Sequence, residues 1–239
     1  MAQPRAREPT PGYLQKTMSK NKLGVFVRNP VTGGVKTRLV PPLTAEAARS
    51  LYAAFLRDLF ARLPQAKIRP TIFYSGERSE DLTGLVPEPW PLVAQRGPDL
   101  GARMAEAFAH LLTEPGSRAV LIGSDSPDLP ISHLKRAFQK LKHRDVVLGP
   151  AVDGGYYLIG LRAVAPRLFE GIVWGSSSVF ASTVERIRSE GLSLGLLPAW
   201  YDVDDAASLE FLRAMCAARS AAGGLRLPHT ERALSSTGS

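Results

Sequence analysis

The segment from Ala119 to Pro130, Ala-Val-Leu-Ile-Gly-Ser-Asp-Ser-Pro-Asp-Leu-Pro, constrains the fold more than any other part of the chain. Val120, Leu121 and Ile122 form an apolar run too short for a helix and predict a central strand buried on both faces. Gly123 lets the backbone turn, and Asp125 and Asp128 follow on either side of Ser126 and Pro127, whose ring fixes that turn. In open α/β sheets ligands sit outside the carboxyl ends of the strands, so acids placed there face a crevice. Asp125 accordingly reads as a metal ligand. Taken alone, the segment fits equally well a turn in which both aspartates only shape the loop and cap the next helix.

Strand and helix patterns alternate along the rest of the chain. Lys22 to Arg28 reads as a first strand, and Thr44 caps a helix to about Leu63 with Leu51, Phe55 and Leu59 on its apolar stripe. Strands over Ile68 to Tyr74 and Leu92 to Gln95 precede a helix opened by Asp99, with Met104, Phe108 and Leu111 inward. A helix over Ser132 to Lys142 separates the central strand from one at Asp145 to Gly149. The next strand follows Asp153-Gly154-Gly155, and a helix from Val179 to Glu190 leads to a last strand at Leu192 to Leu197 and a final helix after Asp205. Such alternation predicts an α/β fold: a single domain with a mainly parallel sheet flanked by helices on both faces. The expected boundaries are a disordered basic tail over 1–21, the domain over 22–212, and the end of the last helix with a disordered tail over 213–239.

Charge and cysteine usage narrow the function. The net charge of +8 is concentrated at the ends, where residues 1–22 carry five bases against one acid and residues 213–239 carry four against one. A basic fringe on a nearly neutral body argues against a nucleic-acid partner. Without a membrane-length apolar run or a secretory segment, the expected location is the cytoplasm, with no membrane partner. Met18, just ahead of the first strand, reads as an alternative start. Cys216 is the only cysteine, so an internal disulfide and a cysteine-rich zinc site are both excluded.

The residues with chemistry to offer fall in loops that follow strands. The loop from Asn29 to Leu39 contains Gly33, Gly34, Lys36 and Arg38, suited to an anion, although Val35 before the lysine departs from a Walker A loop. A solvated basic loop is the competing reading. Arg103 sits in the first turn of the helix opened by Asp99, against the helix dipole, where it meets either a bound anion or solvent. Asp153-Gly154-Gly155 reads foremost as a hairpin turn. Asp202, Asp204 and Asp205 are more acids than one helix cap needs. Asp125 with Asp202 and Asp204 could share a hard cation, Mg²⁺ or Mn²⁺, while Lys36 and Arg38 meet the phosphates it carries. Together these describe a nucleotide site. His-Glu-x-x-His spacing, a Gly-x-Ser-x-Gly elbow and a Rossmann glycine motif are all missing from the sequence, which argues against zinc, triad and nicotinamide chemistry.

Five ordered motifs resemble a bacterial group within the nucleotide-diphospho-sugar transferase superfamily, with the GT-A fold, and are similar also to the 2-phospholactate and molybdenum-cofactor guanylyltransferases. They are Pro30-x-x-Gly33-x-Val35-Lys36-Thr37-Arg38-Leu39, Asp99-Leu100-Gly101-x-Arg103-Met104, Gly123 to Leu129, Gly149-Pro150-Ala151-x-Asp153-Gly154-Gly155-Tyr156-Tyr157, and Asp202-Val203-Asp204. The resemblance implies that Lys36 and Arg38 grip phosphates beside Gly33 and Gly34, and that Asp99, Gly101 and Arg103 lie near the base or ribose. It further implies that Asp125 with Asp202 or Asp204 holds the metal, and that Asp153, Gly154, Gly155 and Tyr156 face a small acceptor. Thr32 stands where proline is common and Asp205 where threonine usually follows, which leaves open which C-terminal aspartate binds metal. A basic loop for departing pyrophosphate favours nucleotidyl transfer from a triphosphate. Glycosyl transfer from a nucleotide sugar is the alternative, and a non-enzymatic nucleotide-binding module a third reading.

Overall fold

The computed structural model describes residues 20–236. Seven strands form one sheet: β1 (Asn21–Arg28), β2 (Pro70–Ser75), β3 (Leu92–Ala94), β4 (Arg118–Ile122), β5 (Val146–Pro150), β6 (Tyr156–Leu161) and β7 (Leu194–Leu196), in the spatial order β3-β2-β1-β4-β6-β5-β7. All pairings are parallel except those of β6, which runs antiparallel to both β4 and β5. The mainly parallel sheet expected from the alternating pattern is therefore present. The antiparallel strand has a local cause. Ala151 N–H donates to the Gly155 carbonyl at 3.0 Å and Asp153 accepts from Gly155 N–H at 2.9 Å, closing the hairpin that Asp-Gly-Gly predicts.

The helices are α1 (Ala45–Arg62), α2 (Leu100–Leu111), α3 (Ile131–Lys140), α4 (Val179–Ser189), α5 (Ala206–Ala221) and α6 (Pro228–Ser236). Alternate residues of β4 feed opposite layers. Val120 and Ile122 join the core beneath α1, α3, α5 and α6, whereas Ala119 and Leu121 join the core beneath α2 and α4. This two-sided burial is what an unbroken apolar run requires. Because the six parallel strands share one direction, their carboxyl ends, and the loops that follow, gather along one edge.

The C-terminal end departs from the expected disorder. Residues 213–221 continue α5, and 228–236 form α6 against α1. Leu227 and Leu234 are buried in the core. The buried carboxylate of Asp58 in α1 accepts from the N–H groups of His229 at 3.2 Å and Thr230 at 2.7 Å, two of the unpaired donors at the start of α6. One buried leucine in a short polar helix, with Leu227 just ahead of it, is too sparse to make a periodic pattern, and the partner that orders the helix lies 171 residues earlier in the chain. The tail expected over 1–21 falls outside the described residues as far as Ser19, and β1 takes Asn21.

Truncation after Gly224 should therefore destabilise the protein by at least about 3 kcal/mol, because two leucines leave the core and the apolar face of α1 beneath them meets water. Urea unfolding of the full and shortened chains measures this. An unchanged midpoint would show that α6 contributes nothing to the fold.

Candidate active site

The loop after β1 is fastened at its start, where Arg49 of α1 donates to the Pro30 carbonyl at 2.8 Å. Gly33, at φ 75°, and Gly34 turn the chain at its outer edge. Lys36 then adopts a left-handed conformation, φ 51°, that aims its side chain inward beneath the loop. Its ammonium meets three acceptors: Asp125 Oδ1 at 2.5 Å, the Val203 carbonyl at 2.7 Å and Asp204 Oδ1 at 2.9 Å. An ammonium has three hydrogens, so all are used. The lysine side chain is 3% exposed, whereas Asp125 and Asp204 are each 42% exposed on their other side. Burial would lower the lysine pKa, but the two carboxylates outweigh it and hold the ammonium above its ordinary range.

The acid loop after β4 is held from beneath. Tyr52 of α1 accepts from Arg28 N–H at 3.0 Å and bonds Ser124 Oγ at 2.7 Å, and burial pushes its phenol up to about 12. Arg62 donates to the carbonyls of Pro127 at 2.6 Å and Leu129 at 2.8 Å. Asp128 does not cap α3, whose first turn has no side-chain cap. It is buried, accepts from Tyr201 Oη at 2.6 Å and Trp200 Nε1 at 3.3 Å, and pairs with Arg219 of α5 at 2.8 Å. Asp125 and Asp128 thus divide two roles, one facing the cleft and one locking its floor.

The C-terminal acids divide their roles too. Asp205 is the N-cap of α5, accepting from Ser208 N–H at 2.9 Å in a reciprocal capping box. Asp204 pairs with Lys36. Asp202 accepts from Ser126 Oγ at 2.5 Å, and its pKa is pushed up to about 7, first by burial and then by the charge of Asp125.

A cleft of two adjoining cavities lies over these loops. The larger, about 570 Å³, is lined by Lys36, Arg38, Asp125, Asp153, Gly155, Tyr156, Asp202 and Asp204 among others, so most of the residues expected from sequence converge on it. The smaller, about 300 Å³, includes Arg103, Gln95, Met104 and Ser124. Gly33, Gly34, Asp99, Gly101 and Gly154 line neither. Asp99 caps α2 through Ala102 N–H at 2.8 Å, and Gly101 packs where a Cβ would strike Trp174. Gly154, at φ 92°, lies so close to the Ser177 carbonyl that no side chain fits. Sequence reasoning did not assign Arg28, Tyr52 or Trp174 to the site, although all three line the larger cavity. Arg28 ends β1 and Trp174 opens a Gly-Ser-Ser-Ser turn, both readable signals, while Tyr52 is indistinguishable from the apolar stripe of α1.

Among the described residues no three acidic, histidine or cysteine side chains form a ready cation cage. The pair Asp125 and Asp204 still suits a hard cation that arrives with phosphate oxygens, since each offers an uncommitted oxygen toward the cleft.

Comparison with known proteins bears on this arrangement. A bacterial family described as "Uncharacterized protein conserved in bacteria (DUF2064)" matches residues 58–176. The crystal structure of a candidate nucleotide-diphospho-sugar transferase from Desulfovibrio desulfuricans G20 is similar over 92% of this chain and 95% of its own, with 35% identity and a TM-score of 0.83. The chain belongs to the nucleotide-diphospho-sugar transferase family. Two further structures share the fold of this transferase at lower identity. CMP:2-keto-3-deoxy-manno-octonic acid synthetase, complexed with CTP, has 11% identity over 84% of this chain and 99% of its own, with a TM-score of 0.53. A cytidylyltransferase from Leptospira borgpetersenii serovar Hardjo-bovis has 14% identity over 83% and 87%, also at 0.53. No curated protein matches the sequence. Among the described residues of the transferase, no helix is long and apolar enough to cross a membrane.

The Asp202 carboxyl, at about 7 against an ordinary 3.8, binds an extra proton in the folded state between those values. Stability therefore falls as pH rises through that window, because the unfolded chain releases the proton first. Replacing Asp202 with Asn should flatten the decline in melting temperature across that range, and a decline equal to that of the wild type would contradict the assignment.

Proposed function

We propose that this transferase moves a glycosyl group from a nucleoside diphosphate sugar to a small acceptor. The observation that carries this reading over nucleotidyl transfer is the engagement of Lys36. Nucleotidyl transfer expels pyrophosphate and draws on free cations in the first loop, but all three Lys36 hydrogens are taken by Asp125, Asp204 and the Val203 carbonyl. Arg38, 72% exposed at the cleft, is the uncommitted cation that the loop offers, with only a distant 3.9 Å pairing to Asp205. A nucleoside diphosphate leaving group presents less charge and suits this sparser set.

In this reading the smaller cavity takes the nucleoside, with Gln95 and Arg103 on its wall, and the larger takes the diphosphate, sugar and acceptor. Arg38 meets the phosphates. Asp153 keeps Oδ2 free while Oδ1 holds Gly155 N–H, so it can accept the proton of an acceptor hydroxyl. Mg²⁺ or Mn²⁺ held by Asp125 and Asp204 would neutralise the departing diphosphate. Asp202, whose pKa is raised by burial and by the charge of Asp125, lies beside them as a third acid.

Incubation with a panel of nucleotide sugars and of nucleoside triphosphates, with the products separated by charge, tests the choice. The expected result is release of nucleoside diphosphate from one nucleotide sugar and no pyrophosphate from any triphosphate. Pyrophosphate release would instead establish nucleotidyl transfer. Asp125→Asn should lower turnover by about 10²-fold or more with folding intact, as leaving-group charge goes unneutralised. Undiminished turnover would remove Asp125 from the chemistry.

A further inference from the structure

The engagement of Lys36 has a consequence for how the site acquires a cation. We propose that Lys36 is a resident counter-cation that keeps divalent metal off the Asp125–Asp204 pair until a nucleotide enters the cleft. This rests on the reading of those two aspartates as cation ligands, and not on which group is transferred.

Four features make the ammonium a fitted occupant and not a passing contact. It has one acceptor for each hydrogen: Asp125 Oδ1, Asp204 Oδ1 and the Val203 carbonyl. The carbonyl is itself fixed, since Val203 N–H donates back to the Asp125 carbonyl at 3.0 Å and ties the two acid segments together. The rings of Tyr52 and Phe55 lie 5.7 Å from Nζ, walls that favour an ammonium, and the Tyr52 hydroxyl is already engaged with Arg28 N–H and Ser124 Oγ. The lysine backbone stands at φ 51°, a conformation rare for residues with a side chain, and it aims the side chain at this point.

The charge then decides the order of events. Lys36 offsets one of the two carboxylate charges of the Asp125–Asp204 pair, beside which Asp202 also lies, and a hard divalent cation dehydrates reluctantly for what remains. A metal approaching from the cleft meets the exposed oxygens of Asp125 and Asp204, whose charge Lys36 already offsets in part. A diphosphate brings both the missing negative charge and further oxygen ligands. Metal and nucleotide should consequently bind in a coupled fashion, each raising the affinity for the other by the same factor.

Lys36→Met removes the charge while keeping an unbranched side chain against Tyr52 and Phe55. Binding of Mn²⁺ alone, without nucleotide, is read from the loss of the free-ion signal in electron paramagnetic resonance. The wild type should bind Mn²⁺ more weakly than about 1 mM, and Lys36→Met about tenfold or more tightly than the wild type. Asp204→Asn added to Lys36→Met should cancel the gain. Lys36→Gln, which can still donate to the Val203 carbonyl, serves the same purpose where the methionine variant does not fold. A charge-neutral variant that binds Mn²⁺ no better than the wild type overturns the proposal. So does a wild-type protein that binds one Mn²⁺ tightly at Asp125 without nucleotide. Either failure leaves the glycosyl reading intact, because that reading is decided by the product released.

Discussion

One ammonium group shared by three acceptors organises the site. Lys36 lies 89 residues before Asp125 and 168 before Asp204, so its bonds join the loop after the first strand to the two acidic segments. Without that cation, Asp125, Asp202 and Asp204 would repel one another at close range; burial first, and then the charge of Asp125, raises the pKa of Asp202. A buried ion pair is weak evidence for stability, since desolvation offsets much of its attraction. Its role here is better read as specification: it selects the one arrangement in which both carboxylates open toward the cleft.

The loops that Lys36 joins are in turn held by the helices of one face. Tyr52 and Arg62, both in α1, bond the backbone or side chains of the acid loop at Ser124, Pro127 and Leu129. Asp128 closes the arrangement by binding Trp200, Tyr201 and Arg219, which ties that loop to the chain leading into α5. Asp58 in α1 then gathers α6 onto the same face. The face that carries these polar locks thus supports the carboxylates, while α2 and α4 on the opposite face shape the cleft wall through Leu100, Arg103 and Val179.

How much of this was legible follows from where each signal resides. The order of strands and helices could be read, because Val120 to Ile122 and the stripe of α1 are local patterns with strong periods. The acids at the strand ends could be read for the same reason: a carboxylate directly after an apolar strand has few places to be. The target of Lys36 could not, since the sequence records a basic loop and not the left-handed backbone that turns its lysine inward. Tyr52 contributes one ring to the core and one hydroxyl to the site, and a hydrophobic pattern registers only the ring. The C-terminal helix escaped notice because its order depends on Asp58, an α1 residue 171 positions earlier that no local pattern links to it.

The account rests on the claim that a nucleotide donor occupies the cleft over the Lys36 node. Amide hydrogen exchange, followed by mass spectrometry with and without the donor selected by product release, addresses this directly. Protection should appear together in residues 33–38, 123–126 and 202–204, the three segments joined by Lys36, with little change in α6 and its contacts. Protection confined to other segments, or none at saturating donor, would contradict the account.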